Sequence, residues 1–429
     1  MKRITRAATN VVSAAAALTL LGACGAPESP NASTDTDGKL EGRGPITFVA
    51  GKDTSGSMQK IVDRWNADHP KEKVTFEEPT FDADQFRAKV AQAAQAKSDT
   101  FSVISMDVVW TGEFAKRGYV VPLPDDAVDT SEFLSGPVET ATYDGKLYGV
   151  PWKTDTGILY YRKDLLDKYG LKAPTTWAEL AEACEKVAEP EGIDCYAGQH
   201  GQTEGLTVNV SEAVNSAGGS LVTDGKPTAD TPEAIKGLTF LADAFKKGWA
   251  APEALTYDEE AGRARFQSGE LLFQRNWPYM YALANAKGEG NKAAGKFDIA
   301  PLPGADGAGS ATLGGHNLAI STYAKNKATA LDFIKFFTQE DNQKQNLLVG
   351  SYAPTRSAVY EDKDVVSEIP YLSTMKTALD KAVPRPAAVP YQQVTAAIQE
   401  AGLAVEKGTK TPAEAAKDLQ AALVPLLGK

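Results

Sequence analysis

Three histidines and three cysteines carry the main potential for covalent or metal chemistry in this 429-residue chain, and their placement excludes most of it. His69 ends a helical stretch before Pro70, His200 lies in a Gly-rich loop, and His316 follows Gly314-Gly315. A Ser-His-Asp triad would have to recruit one of them, yet no G-x-S-x-G elbow presents a serine. There is no H-E-x-x-H, no C-x-x-C and no phosphate loop, and Gly288, Gly290 and Gly295 miss the dinucleotide spacing. The sequence calls for neither a metal nor a cofactor. Hydrolysis by two carboxylates leaves no local signature and stays open as an alternative.

The cysteines point elsewhere. Lys2, Arg3 and Arg6 precede an apolar run from Val11 to Leu21, which closes on Leu21-Gly22-Ala23-Cys24. That run falls short of the ~20 residues a membrane-spanning helix needs, and small residues before a cysteine suit cleavage by a lipoprotein signal peptidase. Residues 1–23 therefore read as a signal peptide and Cys24 as a lipidated N-terminus, attached to the outer face of the cell membrane without spanning it. Residues 24–44, rich in Ser, Thr, Asp, Pro and Gly, read as a flexible tether. Cys184 and Cys195 remain, close together in an exported chain, and that arithmetic favours a disulfide closing a short loop.

A composition of 42% hydrophobic and 24% charged residues is that of a globular protein, long enough for two or three domains. The net charge of −11 and the lack of any basic stripe argue against nucleic acid as a partner.

The elements that would position any site alternate in type. Strands are expected at Ile46–Ala50, Val74–Phe76 and Phe101–Ser105. Between them, Met58, Ile61, Val62 and Trp65 fall at helical spacing, and Ala83–Ala96 is a second helix. A third helix runs through Phe114 to Gly118. This order implies a largely parallel sheet. Tyr143-Asp144-Gly145-Lys146 marks a hairpin turn. After Pro151 the pattern restarts with a strand at Ile158–Tyr161 and a T-x-x-E capping box at Thr176–Glu179. Pro232 opens a helix whose Ile235, Leu238, Leu241 and Phe245 share a face. Later strands are expected at Leu271–Arg275, Phe297–Ala300 and Leu318–Ser321, and the C-terminal part reads as mostly helical. The fold class is α/β, in two units.

Several stretches together resemble the solute-binding proteins of bacterial ABC sugar importers, and among these the trehalose/maltose-binding proteins. They include Asp84-Gln85-Phe86-Arg87, Met106-Asp107-Val108-Val109-Trp110, Gly149-Val150-Pro151 and Tyr160-Tyr161-Arg162-Lys163-Asp164-Leu165. Ser268-Gly269-Glu270, Arg275-Asn276-Trp277-Pro278-Tyr279, Leu313-Gly314-Gly315-His316 and Val383-Pro384-Arg385-Pro386 follow in order. The resemblance covers the chain from about Pro45. It implies a periplasmic-binding-protein-like fold: two lobes, three hinge crossings near residues 151–155, 315–318 and 356–360, and a cleft that closes on a sugar. Lobe one would comprise residues 45–152 and 317–357, and lobe two residues 153–316 and 358–429. It further implies a monomeric, non-enzymatic receptor that hands an α-linked disaccharide, trehalose or maltose, to a membrane permease. The alternatives are a secreted glycosidase and the same fold with a different oligosaccharide.

A disaccharide presents bifunctional hydroxyls, which suit carboxylates and guanidinium groups, and C–H faces, which suit aromatic planes. By the resemblance, Arg87, Asp107, Asp155 and Arg356 form a polar clamp, and Trp277 and Tyr279 form a stacking platform. Gly314 and Gly315 let backbone approach the ligand, and His316 supplies a hydrogen bond where related proteins are expected to carry Trp. Read without it, Arg87 is a solvated helix face, Asp107 a helix cap and Trp277 an interior residue.

Overall fold

The apolar spacing of residues 58–65 produces a helix over Ser57–Asp68 that buries Met58, Ile61, Val62 and Trp65. The same logic gives Ala83–Gln95, whose N-cap Asp82 accepts from the Gln85 N–H, and Pro232–Lys246, capped by Thr231. The capping box at Thr176 and Glu179 is complete. The computed structural model describes residues 40–427 apart from Phe81 and Ala387. The signal peptide, Cys24 and the tether up to residue 39 lie outside the described residues.

In chain order the strands are β1 (Ile46–Val49), β2 (Val74–Glu77), β3 (Val103–Asp107), β4 (Thr142–Tyr143), β5 (Lys146–Leu147), β6 (Val150–Thr156) and β7 (Ile158–Tyr161). They continue as β8 (Asp194–Ala197), β9 (Val222–Thr223), β10 (Lys226–Pro227), β11 (Leu271–Asn276), β12 (Asp298–Pro301), β13 (Thr312–Ile320) and β14 (Val383–Pro384). The expected hairpin is β4–β5, with Thr142 opposite Leu147.

Among the described residues, two sheets carry the fold. The first runs β14-β13-β3-β1-β2, with β6 added against β13. Strands β1, β2 and β3 are mutually parallel, as the β-α-β-α-β order requires. β13 enters antiparallel to both β3 and β6. The second sheet, β12-β7-β11-β8, has only its β11–β8 pair parallel. Separate apolar cores form around each sheet. Phe48, Trp65, Phe333 and Phe337 pack on the first, and Leu159, Leu206, Leu272 and Ile398 on the second. Ile334 and Phe337 are buried in the first core, with Leu331 partly buried beside them.

Strands β6 and β13 run side by side from the Thr156–Leu313 pair to the Val150–Leu318 pair. Gly157 then delivers the chain directly into β7 of the second sheet. The sequence reading caught only the end of β13, because Gly314 and Gly315 dilute its strand pattern.

Cys184 and Cys195 are disulfide-bonded, with Cα atoms 5.2 Å apart. The folded body starts earlier than the expected tether end at Gly44. Leu40 packs on the first core, and Arg43 bridges Glu72 at 2.8 Å and Asp332 at 2.5 Å.

Candidate functional site

A cavity of about 230 Å³ lies between the two sheets, and the C-terminal ends of strands surround it. Asp107 is the last residue of β3, Trp277 follows β11, and Arg385 follows β14. Strand register builds one wall. His316 on β13 stands between Asp107 on β3 and Lys153 on β6, and Gly314 faces Asp155.

Asp155 is 5% exposed. Its Oδ2 accepts from Lys153 Nζ at 2.8 Å, while Oδ1 has no hydrogen-bond partner among the described residues. Burial raises the Asp155 carboxyl and Lys153 opposes it. His316 Nδ1 is likewise unpartnered among the described residues. Burial, reinforced by Lys153 and Arg385, pushes the imidazole well below its usual range, so the ring is neutral near pH 7.

An aromatic pair adjoins this wall. Trp277 donates its indole N–H to Glu259 at 3.2 Å, and its ring lies 4.0 Å from the Arg275 guanidinium. Arg275 is held in turn by Glu212 at 2.7 Å and Gln199 at 2.7 Å. The indole is thus fixed by a cation that is itself fixed. Tyr279 donates to Glu260 at 2.6 Å, and burial, then that carboxylate, raises its phenol well above the usual value.

Gly314 and Gly315 line the cavity for reasons that concern the protein itself. A Cβ on Gly314 would stand 3.0 Å from the Trp277 ring. Gly315 has φ +128°, where a Cβ would meet the Lys153 carbonyl oxygen at 2.6 Å, and the β6–β13 register slips just beyond it.

Of the sequence-derived residues, Asp107, Asp155, Trp277, Tyr279, Gly314, Gly315 and His316 line the cavity. Arg87 and Arg356 do not. Arg87 turns to Glu113 with its side chain only 11% exposed, so it is not a solvated face. Arg356 is spent on the Thr338 carbonyl at 2.6 Å, on Glu132, and on the Phe133 ring at 4.6 Å. Asp107 Oδ1 accepts from the Val109 N–H at 3.1 Å within a turn, but Asp107 does not cap the next helix, Thr111–Lys116, which starts after Trp110 with no side-chain cap.

Sequence reasoning passed over Lys153, Glu204, Glu259 and Arg385, all in the lining. Lys153 had a usable signal: it lies two residues before Asp155 on a strand and so shares its face. Glu204 opens the helix Glu204–Ser216 behind its cap Thr203. It carries no mark that separates it from any first-turn acid.

Two hinged halves around a polar, aromatic-walled cavity define a protein that encloses a small solute. The profile of the bacterial extracellular solute-binding protein family matches residues 51–344, and the chain belongs to that family. A relative from Deinococcus radiodurans, described as a probable ABC transporter-binding protein, is 36% identical over 362 residues, 81% of this chain and 85% of its own. Maltose-bound MalE3 of T. maritima is similar at 34% identity with a TM-score of 0.84, covering 89% of this chain and 100% of that one. The GacH receptor of Streptomyces glaucescens, solved unliganded and with acarbose, is similar at 27% identity with a TM-score of 0.81, covering 91% and 100%. The fold is the two-lobed α/β architecture of these binding proteins. The family is one of binding proteins rather than catalysts, which sets the glycosidase alternative aside.

Proposed function

We propose that this protein captures an α-linked disaccharide, maltose or trehalose, and delivers it to the membrane permease of an ABC importer. The observation that carries this is the interlobe cavity whose lining brings Trp277 and Tyr279 together with Asp107, Asp155 and neutral His316. An indole face packs against pyranose C–H groups while carboxylates and imidazole take hydroxyls. The maltose in the similar T. maritima protein and the ABC-transporter description of the Deinococcus relative support the substrate class and the importer.

On this reading lobe one comprises residues 45–152 with 317–357, and lobe two residues 153–316 with 358–429. Binding energy is expressed as closure, because the ligand touches both lobes only in the closed form. Cys24 anchors the receptor through lipid. Calorimetry against maltose, trehalose and larger α-glucans tests the assignment. One of the two disaccharides binds one-to-one, and absence of heat with both overturns it.

A further inference from the structure

Arg385 leaves the end of β14 with only 4% of its surface exposed. One Nη donates to Asp107 Oδ1 at 2.8 Å, at the tip of β3 in the first sheet. The other donates to Glu204 Oε1 at 2.5 Å, at the start of a helix packed on the second sheet. We propose that Arg385 is a positioning residue: an ionic clasp that joins the lobes through Asp107 and Glu204 and limits how far the cleft opens. This rests on the closure reading above.

Glu204 is held for the purpose. Thr395 donates to its Oε2 at 2.7 Å, and the Tyr391 hydroxyl donates to Oε1. Tyr391 begins a helix whose Val394 and Ile398 belong to the second core, yet Tyr391 itself belongs to a separate apolar cluster with Phe86, Met106 and Trp110. The acid therefore cannot swing to follow the guanidinium. Any motion that parts the tip of β3 from the start of helix Glu204–Ser216 makes Arg385 release one carboxylate.

The electrostatics agree. Burial raises the Glu204 carboxyl, with Arg385 opposing and Asp107 adding to it. Burial works against the charge on Arg385, and Asp107, Tyr391 and Glu204 outweigh it. Without the guanidinium, two carboxylates would share one desolvated space, and a buried ion pair that loses one partner is strongly unfavourable. Opening relieves that repulsion.

The test compares purified wild type with Arg385→Gln and Arg385→Lys by small-angle scattering without sugar and by stopped-flow indole fluorescence with maltose. Arg385→Gln has a larger radius of gyration without ligand. Its maltose off-rate rises on the order of tenfold while the on-rate changes less than about threefold. Lysine keeps the charge but lacks the two-armed reach, and falls between. A scattering curve for folded Arg385→Gln that superimposes on wild type, with an off-rate within about twofold, overturns the clasp. Should that variant not fold, Glu204→Gln removes one arm and is read the same way. If wild type binds no sugar, the substrate reading fails alone, and the ligand-free scattering comparison still decides on the clasp.

Discussion

Trp277 meets the cavity with an indole that is already committed on two sides, to Arg275 by its ring and to Glu259 by its N–H. A platform so fixed loses no rotamer freedom on binding, so its contact energy goes to the ligand. Trp277→Ala is expected to weaken disaccharide binding by at least about 2 kcal/mol, measured by calorimetry. An unchanged affinity would return the residue to a packing role. His316 supplies a pH signature. Its folded pKa lies below the unfolded value of 6.5, so below that pH the unfolded chain takes up a proton that the folded chain refuses. The stability present above pH 6.5 is lost as pH falls toward the folded pKa. His316→Gln should flatten the fall in denaturation midpoint between pH 7 and 5, followed by urea unfolding. Trp277 and Asp107 were legible because strand-end motifs surround them. The partners of Arg87 and Arg356 were not legible, because Glu113, Glu132 and the Thr338 carbonyl are distant in sequence and no local pattern names a side chain's partner. Arg385 stood in a noted motif, but its two acids lie 278 and 181 residues away.

Elements were easier to read than their partners. Caps, hairpin and helical stripes are local, and they appear where spacing put them. The antiparallel placement of β13 between β3 and β6 is not local, and that placement sets Asp107, His316 and Lys153 abreast. A glycine pair that weakens the strand signal is the same pair that admits the Trp277 ring and the register slip. The short disulfide loop was readable from cysteine arithmetic alone. Its sequence separation of 11 predicts a contribution of about 3 kcal/mol through the unfolded chain. Replacing both cysteines by serine should therefore lower the thermal midpoint. Neither residue lines the cavity, so sugar affinity measured by calorimetry should not change.

At the scale of the molecule, two cores that meet across a cavity make stability and occupancy one quantity. A disaccharide that binds only the folded, closed form stabilises it by about 2.7 kcal/mol at a hundredfold excess over Kd, and so raises the melting temperature by mass action. Scanning calorimetry with the preferred sugar should show that rise, and an inert analogue should not. The body's entry point adds a mechanical asymmetry. Leu40 packs on the first core, and Arg43 straps that end of the chain to Glu72 and Asp332. A load pulling on the segment upstream of residue 40 is borne by that half alone. Movement of the second sheet's half would leave those contacts in place.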